Sequence, residues 1–188
     1  QDAAVQDILT DMAADDAMLR LVQGDVGSGK TAVALLAMLN AVEAGYQAAM
    51  LAPTEILARQ HAKGLAAMAA AAGVEIGLLT GRTSHSERAD LLARVAQGEV
   101  QILVGTHALL QDPISFADLG LAVIDEQHRF GVFQRLSLAG KGRGAVDTLV
   151  MTATPIPRTL TLTVYGDMDV SRIQEKPPGR QRVDTRVV

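Results

Sequence analysis

The residues best suited to chemistry in this 188-residue chain sit where short apolar runs end. Gly24, Asp25, Val26, Gly27, Ser28, Gly29, Lys30 and Thr31 spell G-x-x-x-x-G-K-[ST], between the apolar "MLRLVQ" and an alanine-rich stretch. Glycines at these positions let successive backbone N–H groups converge on phosphate oxygens without a Cβ in the way. A helix starting at Thr31 adds the positive end of its dipole. Lys30 would reach the β- and γ-phosphates, and the Thr31 hydroxyl would join a Mg²⁺ shell. A second candidate lies in "LAVIDEQHRFGV", residues 121–132, whose apolar run ends in Asp125 and Glu126. At a strand end, Asp125 would hold the metal and Glu126 would polarise an attacking water. Together these two segments describe an ATPase-type core. ATP and Mg²⁺ are its expected cofactors, Lys30, Asp125 and Glu126 its catalytic groups, and Thr31 and Asp125 its metal ligands.

Such groups need elements to hold them, and the chain supplies an alternation. "MLRLVQ" reads as a strand, and Thr31 to Ala44 as the helix leaving the glycine-rich turn. "YQAAMLAP" is a second strand, followed by a helix from Thr54 to about Ala72 that Gly73 stops. "VEIGLLTG" is a third strand. Ser84 and Glu87 have the spacing of a capping box and open a helix to about Gln97. "VQILVGT", "LGLAVIDE" and "DTLVMTAT" add three more strands. Buried strands separated by helices predict an α/β, doubly wound, mainly parallel sheet with helices on both faces and ligands at the carboxyl ends of its strands. After Gly166 the pattern weakens, and "EKPPGRQR", residues 175–182, reads as a linker because Pro177 and Pro178 exclude helix.

Composition bounds the partners. A hydrophobic fraction of 48% fits a packed core, and no cysteine is present for disulfides or thiolate metal sites. No run approaches the roughly 18 apolar residues of a membrane span, and the acidic first residues do not resemble a signal peptide. A cytoplasmic protein with no membrane partner is expected. The net charge of −4 gives nucleic acid little long-range steering. Five aspartates and no basic residue precede Arg20, on what reads as a solvated helix face, whereas the rest is nearly neutral with 17 basic and 16 acidic residues.

Any DNA contact is therefore local and built partly from backbone amides. Pro53-Thr54 and Gly105-Thr106 put N–H groups and a hydroxyl just beyond strand ends, where they can bind phosphate without reading sequence. Thr54 is equally suited to capping its own helix. With only three Phe, two Tyr and no Trp, there is no series of rings for stacking single-stranded bases, and duplex backbone tracking is the better expectation. Phe130 and Phe133 are expected to pack beside Asp125 and Glu126. His61, His85, His107 and His128 lack metal-ligand spacing, so zinc is not expected.

The motifs carry a resemblance. "DEQH" is similar to the DEAD/DEAH box of superfamily 2 helicases. "GDVGSGKT", "APTEILARQH", "VGTHALLQ", "DEQHRFGV" and "MTATPIPRTL" follow the order seen in the RecG family of branched-DNA helicases, over nearly the whole chain. The resemblance implies a RecA-like P-loop NTPase domain, the first of two motor domains, over residues 1–173. Residues 174–188 would be the linker and the start of the second. It further implies that Gln127 and His128 relay the nucleotide state to Thr152, Ala153 and Thr154, and that Gln1 reads adenine. The implied DNA-backbone contacts are Pro53, Thr54, Glu55, Arg59, Thr80, Gly81, Arg82, Gly105, Thr106 and His107.

The implied function is ATP-driven movement on duplex DNA that remodels branched DNA such as stalled forks and recombination intermediates. The implied partners are that DNA, the second RecA-like domain and a DNA-wedge domain of the full-length protein. Without them, this chain is expected to have little or no hydrolytic activity. One alternative is the motor of a transcription-repair coupling translocase, which typically has Glu where this chain has Gln127. Another is a non-catalytic nucleotide switch.

Overall fold

The computed structural model describes residues 1–111, 114–125, 144–154 and 168–173. Along the chain run α1 (Asp2–Met12), β1 (Leu19–Gly24), α2 (Lys30–Glu43), β2 (Gln47–Leu51), α3 (Glu55–Ala71), β3 (Ile76–Leu79), α4 (His85–Ala96), β4 (Ile102–Gly105), α5 (Ala108–Gln111), β5 (Leu119–Asp125), β6 (Asp147–Thr152) and β7 (Asp169–Ile173). Each of the six expected strands is present. So is the capping box of α4, where the Ser84 hydroxyl and backbone N–H meet the Glu87 carboxylate while the Glu87 N–H returns to Ser84. Those bonds stabilise the carboxylate, and the Glu87 pKa is lowered. The proposed linker, Tyr165, Phe130 and Phe133 lie outside the described residues.

The seven described strands form one sheet in the order β3-β4-β2-β5-β6-β1-β7, and every pairing is parallel. Side chains alternate across it, as the two-residue period of a strand requires. Val22, Ala48, Met50, Ile102, Val104, Leu121, Val123, Leu149 and Met151 form one core with α1, α2 and α3. Ala49, Leu51, Leu103, Ala122 and Ile124 form another with α4 and α5 on the opposite face. The expected doubly wound architecture is thus observed. Among the described residues, no helix is long and apolar enough to cross a membrane.

Gln47 shows how a polar residue is accommodated in this core. It is buried at the start of β2, where the β2–β5 register shifts. Its amide donates to the Val95 and Val100 carbonyls at 2.9 and 2.7 Å and accepts from the Asp118 N–H at 3.1 Å. Both amide hydrogens and the amide oxygen thus find partners in place of water, which offsets the cost of burial.

Two features depart from the sequence expectation. β7 is a strand although its residues are mostly exposed and form no apolar run. Its pairing to β1, from Arg20↔Asp169 to Gly24↔Ile173, defines it. The acidic face of α1 is also only partly solvated. Arg20 projects from β1 with its side chain 11% exposed, and its Nε donates to Asp11 at 2.6 Å. Its Nη1 donates to Ser171 Oγ at 2.8 Å, and that hydroxyl donates to Asp7 at 2.6 Å. Asp169 lies 3.8 Å from Nη2. Burial opposes the Arg20 charge, yet the hydrogen bond and charge of Asp11, with Asp169 and Asp7, more than offset it, and the pKa is raised. One guanidinium thereby ties α1 and β7 to β1.

Near the same Asp11, Asp147 at the start of β6 accepts the Met18 N–H at 2.7 Å. Burial raises its pKa; the Met18 bond works in the opposite direction, and the nearby Asp11 charge adds to the rise.

Two predictions follow from these charges. Arg20→Met is expected to cost about 2 kcal/mol in urea unfolding. That is less than the roughly 3–5 kcal/mol of a fully buried broken pair, because Asp7 and Asp169 can rehydrate. An unchanged midpoint would refute the anchoring role. For Asp147, a folded-state pKa above the unfolded value means that the folded state holds the proton more tightly. Its contribution to stability therefore falls as pH rises from about 4 through the raised pKa. Asp147→Asn keeps an acceptor for Met18 and removes the charge, so thermal melts should show equal or greater stability at pH 7 and a flatter profile above pH about 4.

Candidate nucleotide site and its rim

β1 is hydrogen-bonded on both edges, to β6 and β7, so its carboxyl end is held in register on both sides. The chain leaves it at Gly24, where a Cβ would stand 2.6 Å from Ser28 Oγ and 3.1 Å from Ile173 Cβ; only glycine permits that approach. Gly29 is left-handed at φ +91° and precedes the first turn of α2. The expected glycine-rich turn between strand and helix is therefore present. Lys30 folds back over it, donating from Nζ to the Gly24 and Asp25 carbonyls at 2.7 and 2.9 Å. Asp25, Val26 and Gly27 form the exposed crest of the turn. Ser28 is 3% exposed, and among the described residues its buried Oγ has no hydrogen-bond partner. An orphaned hydroxyl inside a loop of amides fits a site that takes an oxygen-rich anion.

Gln1 lies on the same turn. Its Nε2 donates to the Ser28 carbonyl at 2.8 Å, and a Cβ on Gly29 would run into its side chain. Helix α1, which Arg20 anchors to β1, brings this N-terminal residue to the loop.

Asp125 ends β5. Leu121 and Val123 face the core shared with α2 and α3, so Asp125, two residues further, faces the same way. It is 8% exposed, and its Oδ2 is 2.7 Å from Nε2 of His61 on α3. Thr31 in the first turn of α2 and His61 line one cleft of about 280 Å³, with Gln60, Gly64, Leu65 and Met68. His61 thus shares a cleft with Thr31 and a bond with Asp125, the two expected metal ligands. Glu126, Gln127 and His128 lie outside the described residues.

Thr152 ends β6 opposite Gln23 of β1. Its hydroxyl lies 2.9 Å from that of Thr154 and accepts the Thr154 N–H at 3.1 Å, with Ala153 between them. Gln23, the residue before Gly24, donates to the Thr154 carbonyl at 3.2 Å. The 152–154 turn is therefore fastened to the base of the phosphate loop. Sequence reading missed both Gln23 and His61. A glutamine on an apolar strand and a histidine inside a helix carry no local signal; their partners lie 131 and 64 positions away.

The rim segments also converge. β3, β4 and β2 are adjacent, and Leu79, Gly105 and Leu51 are register partners at their carboxyl ends. Pro53-Thr54, Thr80-Gly81-Arg82 and Thr106-His107 follow those ends side by side. Thr54 caps α3, its hydroxyl accepting the Leu57 N–H at 3.3 Å. Glu55 accepts from Arg59 at 2.9 Å and lies 3.7 Å from Arg82, so one carboxylate spans two of the segments. Thr80 is buried, with its hydroxyl accepting the Arg82 N–H at 3.3 Å. Thr106 is buried too and starts the turn into α5.

A parallel sheet with a lysine-bearing glycine turn after its β1 strand, and an acid at the end of a nearby strand, defines a P-loop α/β NTPase domain of the RecA-like kind. The family profile of DEAD/DEAH box helicases matches residues 1–163, and the chain belongs to that family. It is 52% identical over all 188 residues to the ATP-dependent DNA helicase RecG of Aquifex aeolicus and 54% identical over 186 residues to that of Streptococcus pneumoniae. It spans about a quarter of the length of these relatives, 24% and 27% respectively. A solved structure of RecG bound to a three-way DNA junction matches with a TM-score of 0.81 at 46% identity, covering 97% of this chain and 24% of that one.

The turn itself yields a test. Gly29→Ala should cost about 1–2 kcal/mol from the left-handed backbone alone, and more through displacement of Gln1. A melting temperature equal to that of the unaltered chain would show that the turn adapts without Gly29.

Proposed function

We propose that this chain is the ATP-binding motor domain of a RecG-type DNA helicase or translocase, which couples ATP hydrolysis to movement on duplex DNA and remodels branched structures such as stalled forks. The observation that carries this reading is the placement of His61, which lines one cleft with Thr31 of the glycine-turn helix and bonds Asp125 at the end of β5.

In this reading the amides of residues 24–31 receive the phosphates, and the buried Ser28 hydroxyl gains a partner. Lys30 exchanges the Gly24 and Asp25 carbonyls for phosphate oxygens. Thr31 and Asp125 hold Mg²⁺, which supplies charge neutralisation at the transferred phosphoryl group. Glu126 orients the attacking water. Gln1, already on the phosphate loop, meets the adenine side of the nucleotide. Gln127 and His128 pass the nucleotide state to the 152–154 turn, which Gln23 fastens to the loop. Pro53, Thr54, Arg59, Thr80, Gly81, Arg82, Gly105, Thr106 and His107 form the phosphate track at the rim, and Glu55 holds the two arginines ready for it.

Residues 1–173 form the RecA-like unit, and 174–188 lead toward a second one. That domain and a DNA-wedge domain of the full-length protein are the partners that complete hydrolysis and strand separation, in the cytoplasm.

Lys30→Ala should weaken ATP binding about 10- to 100-fold, because a hydrogen bond to a charged group contributes about 1.5–3 kcal/mol. In the protein with its flanking domains it should abolish ATPase on forked DNA. ATP turnover that survives this substitution, or wild-type turnover indifferent to DNA, would refute the motor reading.

A further inference from the structure

We infer that His61 is a positioning residue for the magnesium site: it fixes the carboxylate of Asp125 from α3, so that the remaining oxygen lone pairs of Asp125 point to the cation. The inference rests on the reading of Asp125 as the magnesium ligand.

The contact is 2.7 Å between His61 Nε2 and Asp125 Oδ2, and both side chains are 11% exposed. A pair so enclosed is not an incidental surface bridge. A carboxylate offers about four acceptor sites on two oxygens, so one bond from His61 fixes its rotation and leaves acceptors for a metal. Carboxylates that ligate metals are themselves hydrogen-bonded by such outer partners, and loss of the partner typically costs about 10- to 100-fold in metal affinity or activity.

His61 is well placed to be rigid. Its helix is capped at Thr54 and seated on the sheet through the buried Ala58, Leu65 and Ala69. Thr31 shares the cleft with His61, so the histidine that bonds one expected ligand lines the same cleft as the other. It also lies seven residues from Thr54, about 10 Å along α3. The helix that opens the rim is thus the helix that grips the metal ligand.

The test compares binding of a fluorescent ADP analogue in excess Mg²⁺ and in EDTA for the wild type, His61→Ala and His61→Gln, with circular dichroism to verify folding. The wild type should bind more tightly with Mg²⁺. His61→Ala should keep its affinity in EDTA within about twofold and lose about tenfold or more of the gain that Mg²⁺ provides. His61→Gln, whose amide N–H can donate to Asp125, should recover most of that gain.

Equal losses with and without Mg²⁺ would reduce His61 to a packing residue and overturn the proposal. A larger Mg²⁺ gain in His61→Ala would overturn it too, since the histidine would then compete with the cation. A glutamine variant that folds yet behaves like alanine would do the same. If the wild type binds nucleotide with no Mg²⁺ gain at all, the reading of Asp125 fails first and takes the proposal with it.

Discussion

A strand bonded on both edges cannot drift at its end, and the phosphate turn depends on that restraint. β1 is clamped between β6 and β7, so Gly24 is fixed, and the chain has only residues 25–29 in which to reverse toward α2. The reversal is made with positive φ at Gly27 and Gly29, a conformation that residues with a Cβ adopt at a cost. Lys30 then closes the turn with two bonds to its own carbonyls. The first turn of α2, the seat of Thr31 and the resting place of Gln1 all inherit their positions from this one handover.

Charge in the molecule is arranged in local sets rather than as a field. With a net charge of −4, long-range attraction to a polyanion is weak. Arg20 is occupied by Asp7, Asp11 and Asp169 and does structural work. At the rim, Glu55 engages both Arg59 and Arg82. Both arginines are thereby balanced locally and add little to any long-range field.

The site and the sheet are connected by side chains that cross between elements. Gln23 fastens the 152–154 turn to the phosphate loop, His61 fastens Asp125 to α3, and Arg20 fastens α1 with its Gln1 to β1 and β7. Each crossing joins a segment at the carboxyl ends of the strands, or the helix that delivers one, to a strand or helix already packed in the core. The loops can thus be short and still be held firmly.

The sequence by itself determined whatever is settled within a few residues. The glycine spacing of 24–31, the Ser84–Glu87 cap and the apolar runs of β1 to β6 act through neighbouring backbone atoms and through burial, and both can be read along the chain. Only the tertiary structure decided that Asp7 and Asp11 turn inward to Arg20, that β7 is a strand, and that His61 meets Asp125. Those outcomes depend on strand order, which brings positions 9 to 151 residues apart to a single guanidinium and positions 64 apart to a single carboxylate. A polar residue on a strand or helix gives no sign of its partner until the sheet has placed both.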